Sequence, residues 1–118
     1  MDKRVLVIDD DLRLGILYSR ALAEIGYSVD AVNSDKDALT RAASGQYPVA
    51  ILDIEMPGMS GLELIHELKR VAPDMKVVLN SAYSYFKSDF QSWLADAYVV
   101  KSSDLQPLKD IILKLVEP

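Results

Sequence analysis

The sequence predicts an α/β domain in which a parallel β-sheet is covered on both faces by helices. Two observations carry that prediction. Residues 5–8 (VLVI) and 49–52 (VAIL) are continuous apolar runs, the pattern of strands buried on both faces. Strand-like segments then alternate five times with segments whose apolar residues recur at helical spacing, and that alternation implies parallel strands joined by right-handed crossovers. The 118 residues fit one domain able to build its own core. With no internal repeat or linker-like tract, residues 1–118 read as a single unit.

Each element has a local reason. After the strand at 5–8 come Asp9, Asp10 and Asp11, and then a helix with Leu14, Leu17, Ala21 and Ile25 on its inward face and Gly26 at its C-terminal cap. Asp11 reads as the cap of this helix rather than as a metal ligand. Residues 27–32 (YSVDAV) alternate, as a strand near the sheet edge should. Ser34 with Asp37 opens a second helix whose buried stripe is Ala38, Leu39 and Ala42. The strand at 49–52 stops at Asp53, and Met56, Pro57, Gly58 and Met59 form the loop that follows. Ser60 and Glu63 make a capping box, and the helix they start turns Ile65, Leu68 and Ala72 inward until Pro73 ends it. His66 on that helix reads as a surface residue.

Residues 76–79 form the fourth strand, which ends at Asn80 and Ser81. The segment 83–96 is read as a fourth helix with Phe86, Phe90 and Trp93 at i, i+4, i+7, although its Ser and Asp content gives it poor propensity. Phe86 and Phe90 are assigned to the core; Tyr83, Tyr85 and Trp93 complete the aromatic group. The fifth strand is 97–100, ending at Lys101. Ser102, Ser103 and Asp104 cap a last helix that begins near Leu105 and carries Leu108, Ile112 and Leu115 on one side.

Composition excludes several function classes. There is no cysteine, hence no disulfide, thiolate metal site or thiol nucleophile. A net charge of −5 opposes direct nucleic-acid binding, which needs clustered Lys and Arg. No apolar run reaches the roughly 18 residues of a membrane span, and the N-terminus does not read as a signal peptide, so the expected location is cytoplasmic.

The polar residues at the strand ends belong together. Asp9, Asp10, Asp53, Ser81 and Lys101 follow strands one, three, four and five, so a parallel sheet collects them at its C-terminal edge, where such folds bind ligands. Three clustered carboxylates repel one another unless a cation neutralises them, and a hard ion with oxygen ligands, Mg²⁺ foremost, suits that task. An aspartate beside such an ion, facing an ammonium and a hydroxyl, fits phosphoryl transfer onto the carboxylate.

The acidic pair Asp9-Asp10 after VLVI, Asp53 within D-x-x-M-P-x-M-x-G, Ser81-Ala82 after the fourth strand and Tyr98 three residues before Lys101 occur in an order that closely resembles the receiver domain of two-component response regulators. The resemblance covers essentially the whole chain. It implies a flavodoxin-like doubly wound sheet of order 2-1-3-4-5 with five helices, a three-layer sandwich. It also implies that Asp53 accepts phosphate from a histidine kinase's phosphohistidine, or from a phosphotransfer protein. Asp10, Asp53 and the main-chain carbonyl of Glu55 would bind Mg²⁺, with Asp9 contacting it through water. Ser81 and Lys101 would contact the phosphoryl group, with Ala82 beside them. Tyr98 would turn inward as Ser81 is drawn to the phosphate, altering the face made by the fourth helix, fifth strand and fifth helix for a downstream effector. A phosphorylation-dependent homodimer is left open.

Two positions depart from the family pattern. Ser102 replaces the usual proline after the lysine, so a trans bond or a reshaped loop is expected there. Trp93 and Leu94 replace a small residue and glycine, which removes the usual left-handed glycine cap of the fourth helix. Competing functions are a Mg²⁺-dependent aspartyl-phosphate phosphatase, for which Glu55 stands where such enzymes need a second Asp, and a pseudo-receiver docking module, whose acidic site would usually be broken.

Overall fold

The computed structural model describes residues 3–55, 58, 60–82 and 94–117. Five strands, β1 (Arg4–Ile8), β2 (Ser28–Val32), β3 (Val49–Asp53), β4 (Lys76–Ser81) and β5 (Ala97–Val100), form one sheet of order β2-β1-β3-β4-β5. All four strand pairs are parallel. The helices among the described residues are α1 (Leu12–Ala23), α2 (Asp35–Ala42), α3 (Gly61–Val71) and α4 (Gln106–Val116). The helix expected at 83–96 falls mainly on residues 83–93, which lie outside the described residues, as do Met56, Pro57 and Met59.

Strand alternation splits the core in two. Leu6, Ile8, Ala50, Leu52, Val77 and Leu79 point to one face and pack with Ala38 and Ala42 of α2 and Leu64, Ile65 and Leu68 of α3. Val5, Val7, Val49, Ile51 and Val78 point to the other and meet Tyr18 and Leu22 of α1 and Leu108 and Ile112 of α4. The result is three layers around a two-sided sheet.

The caps follow the sequence. Asp11 accepts from the Arg13 amide at the start of α1, Ser34 from the Asp37 amide and Ser60 from the Glu63 amide. Gly26 takes the left-handed turn after α1 (φ 87°). Asp104 accepts from the Gln106 amide, while Leu105 at the N-cap of α4 supplies no side-chain bond.

The inward face of α1 corrects the periodicity reading. Leu17 is 45% exposed, and the buried stripe is Gly15, Tyr18 and Leu22, one residue further on. The cause is Gly15: a β-carbon there would stand 2.7 Å from that of Ala31 in β2, so the missing side chain lets the helix lie close on the sheet. Leu14 and Ile25 pack against the same cluster as expected, so the departure is confined to Leu17.

Two further details concern the loops around β5. The Lys101–Ser102 peptide is trans. Leu94 adopts the left-handed conformation itself (φ 65°), at a position where glycine would fit without steric cost. Just beyond it, Asp96 accepts from Lys69 Nζ (2.7 Å) and from the Val77 amide (2.8 Å), and Lys69 also donates to the Met75 carbonyl. This half-buried ion pair ties α3 to the beginnings of β4 and β5.

Candidate functional site

The register of the sheet explains how residues 92 positions apart come to meet. Asp9 directly follows β1, Asp53 and Ser81 are the last residues of β3 and β4, and Lys101 directly follows β5. Asp9, Asp10 and Asp53 each offer a carboxylate oxygen, and these oxygens lie within 4.8 Å of one another. Asp9 and Asp53 are buried and Asp10 is exposed, so the trio opens outward on one side.

Lys101 enters this cluster from β5. Its ammonium stands 3.0 Å from Asp9 and 3.4 Å from Asp53. Burial pulls the ammonium's pKa down, but its bond to Asp9 and the charges of Asp9 and Asp53 outweigh that, leaving it above the ordinary lysine value. Burial is also the largest influence on Asp9 and raises its pKa, although the Asp11 amide (2.9 Å) and Lys101 both favour its ionised form. The chain thus holds one compact ammonium against an excess of carboxylate.

The donor set suits a small hard cation: several carboxylate oxygens, no sulfur or imidazole, and an exposed side for retained waters. Asp9, Asp10 and Asp53 are the residues placed to hold it. The Glu55 amide donates to Asp53 Oδ1 (3.0 Å), so the chain after Asp53 curls back over the carboxylate and keeps Glu55 at the rim.

Ser81 is fully buried, and its hydroxyl donates to Glu55 Oε1 (2.9 Å). Its carbonyl accepts from the Lys101 amide, which joins the ends of β4 and β5. Tyr98 is 9% exposed and belongs to the cluster that includes Leu79 and Leu52. Ala82 is exposed next to Ser81, and His66 is exposed on α3, remote in kind from this acidic cluster.

The sequence reading had Glu55 contributing its main-chain carbonyl and did not assign its carboxylate to Ser81. Nor did it single out Asn80 as a functional residue. Asn80 is buried between Leu79 and Ser81 and donates through Nδ2 to the Tyr18 hydroxyl at 2.7 Å. The available signal was a polar residue inside an otherwise apolar strand, set opposite a tyrosine in an amphipathic helix.

Comparison with known proteins agrees with this geometry. The family model of the response regulator receiver domain matches residues 5–113. The two-component response regulator PhoP of Pseudomonas aeruginosa is 34% identical over 109 residues, covering 90% of this chain and 48% of PhoP. Regulatory protein VanRB of Enterococcus faecalis is 34% identical over 119 residues, 99% of this chain and 52% of VanRB. The chain therefore spans about half the length of these relatives. Among solved structures, response regulator protein TrrA of Thermotoga maritima in complex with Mg²⁺-BeF is 45% identical with a TM-score of 0.86, covering 96% of this chain and 98% of TrrA. A structure of histidine kinase ThkA in complex with TrrA matches at 44% identity and a TM-score of 0.87, over 98% of this chain and 99% of the matched one. With the family model spanning nearly the whole chain and the acid trio and lysine gathered at the sheet edge, the chain belongs to the response regulator receiver domain family.

Proposed function

We propose that this chain, acting as a single domain over residues 1–118, is a phosphorylation-controlled signalling module whose acceptor is Asp53. The observation that carries the reading is the Lys101 ammonium, 3.0 Å from Asp9 and 3.4 Å from Asp53 within a carboxylate trio. A carboxylate oxygen of Asp53 attacks phosphorus of a phosphohistidine, the new O–P bond forms as the P–N bond breaks, and the electron pair returns to the imidazole nitrogen. Lys101 offsets charge on the phosphoryl oxygens, and Ser81 donates to one of them after leaving Glu55.

Mg²⁺ is the cofactor this donor set suits; Asp10, Asp53 and the Glu55 carbonyl would hold it, with Asp9 reaching it through water, and it supplies charge neutralisation beside the acceptor. The Mg²⁺-BeF complex of TrrA supports that assignment. The ThkA complex of TrrA supports a sensor histidine kinase as phosphodonor. Tyr98, in contact with the core beneath β4 and β5, is the aromatic partner of Ser81 in the switch, which biases a downstream effector. No helix among the described residues is long and apolar enough to cross a membrane, and the cytoplasm, where kinase and effector meet, is the proposed location. The module has no separate substrate: it catalyses only its own phosphorylation and dephosphorylation.

Incubation with acetyl phosphate and Mg²⁺ should add about 80 Da to the intact mass, and Asp53→Asn should abolish the gain. A wild-type protein that stays unmodified, or a variant that gains the same mass, would overturn the assignment.

A further inference from the structure

Among the described residues, the carboxylate, amide and aliphatic-hydroxyl side chains buried in the fold are Asp9, Asp53, Ser81 and Asn80. The first three belong to the phosphoacceptor site. Asn80 stands in the same row: it is the register partner of Asp53 on β3 and of Val99 on β5. Its side chain points to the α1 and α4 side of the sheet, where Nδ2 meets the buried Tyr18 hydroxyl at 2.7 Å. Ser81, one residue on, turns the opposite way and bonds Glu55.

A buried amide is a costly guest in that layer, whose residues besides Tyr18 are aliphatic apart from Tyr27, a phenol with its own partner in Glu117. Two apolar residues of similar volume would pack there without needing a mutual hydrogen bond. The pair also adjoins the site, since Asn80 lies beside Ser81 and opposite Asp53 in register; burial raises the pKa of the Tyr18 hydroxyl above its ordinary value. It therefore serves as a fixed dipole and not as an acid.

Resting on the assignment of Asp53 as acceptor, we propose that Tyr18 and Asn80 are positioning residues of the phosphoacceptor site. Their hydrogen bond pins the end of β4 to α1, so that Ser81 and the strand beside Asp53 hold the geometry phosphoryl transfer requires while the Ser81 hydroxyl changes partner. α1 thereby becomes part of the site's support, and a displacement of that helix reaches Ser81 through a single bond.

The test uses the full chain as wild type, Tyr18→Phe and the double variant Tyr18→Phe/Asn80→Leu, each checked for folding by circular dichroism. Tyr18→Phe keeps the ring and its packing; the double variant also removes the stranded amide. Mg²⁺ affinity and the rate of mass gain from acetyl phosphate are measured side by side. Positioning predicts Mg²⁺ affinity within about twofold of wild type and phosphorylation slowed roughly tenfold, the scale expected for misplacement well under an ångström. Wild-type rates in both variants would overturn the proposal, as would Mg²⁺ affinity and rate falling together, which marks a purely structural pair. If wild type itself gains no mass, the acceptor assignment fails and the proposal with it; if wild type is modified and the variants match it, only the proposal fails.

Discussion

Lys101 offers the sharpest test of how the site is held together before phosphate arrives. In Lys101→Met the stem is kept and the charge removed, so Asp9 and Asp53 face each other and Asp10 without an ammonium. At an effective dielectric near 20, each of the two lysine contacts is worth about 5 kcal/mol of gross attraction, and two ionised carboxylates no more than 4.8 Å apart repel by at least about 3.5 kcal/mol. Desolvation returns most of the gross attraction, and removing one partner of a fully buried pair usually costs about 3–5 kcal/mol. The lysine side chain is 25% exposed, which lowers the expectation to about 2–3 kcal/mol. For a domain of this size that is a fall of roughly 8–12 °C in Tm. Thermal unfolding in EDTA near pH 7 measures it directly. Added Mg²⁺ should restore more stability to the variant than to wild type, because no ammonium competes for the same oxygens. A variant melting within about 2 °C of wild type in EDTA would refute the claim that Lys101 compensates the carboxylates.

Three other outcomes follow from separate parts of the structure. Glu55→Ala removes one acceptor of the Ser81 hydroxyl and an anion from the rim of the site, so phosphorylation by acetyl phosphate should quicken by about two- to five-fold, equivalent to roughly 0.5–1 kcal/mol; an unchanged or slower mass gain contradicts the contact's role. Leu94→Gly relieves a left-handed leucine whose side chain is largely exposed, and should raise stability by about 1 kcal/mol, or roughly 4 °C in Tm; a lower Tm refutes it. Tyr27 is held up to about 12 by burial and then by its bond to Glu117, against about 10 in the unfolded chain. Between those pH values the folded state keeps a proton that the unfolded state releases, so stability present below pH 10 is lost as pH rises toward 12. The full shift would amount to about 2.7 kcal/mol, and exposure of Glu117 reduces it to about 1–2 kcal/mol. Denaturant titrations at pH 9 and pH 11.5 should show this loss reduced in Tyr27→Phe, and an identical loss in both proteins would refute it.

The strands and caps were legible because their causes are local. An apolar run ending in a carboxylate, or a serine three residues before an acid, declares itself without tertiary information, and β5 begins and ends where the pattern places it. The acid trio and Lys101 were legible for a different reason: a parallel sheet sends every strand's C-terminal end to one edge, so sequence position relative to a strand fixes spatial position. What stayed hidden depended on contacts between distant elements. Leu17 appeared inward because the helical period alone does not show that Gly15 lets α1 settle against Ala31. The Ser81–Glu55 and Asn80–Tyr18 bonds were hidden likewise: the polar pair ending β4 signals a buried hydrogen-bonding need, but its partners lie on other elements that only the tertiary fold brings near.

That alternation bears on how the switch is balanced. The last two residues of β4 are tied in opposite directions, Asn80 to α1 through a neutral hydrogen bond and Ser81 to Glu55 through a charge-assisted one. In the proposed switch Ser81 exchanges one anionic acceptor for another, so the hydroxyl's own change in free energy is a difference between two terms of similar size, each about 1.5–3 kcal/mol. Such an exchange is close to thermoneutral. The bias toward the phosphorylated arrangement must then come from elsewhere in the cluster: from Lys101, which gains a phosphoryl partner while shared with Asp9, and from the repulsion between Glu55 and the new phosphoryl charge. On that proposal Glu55 acts in both directions, holding Ser81 before transfer and favouring its departure afterwards, which is why its removal should alter the rate of transfer more than the stability of the fold.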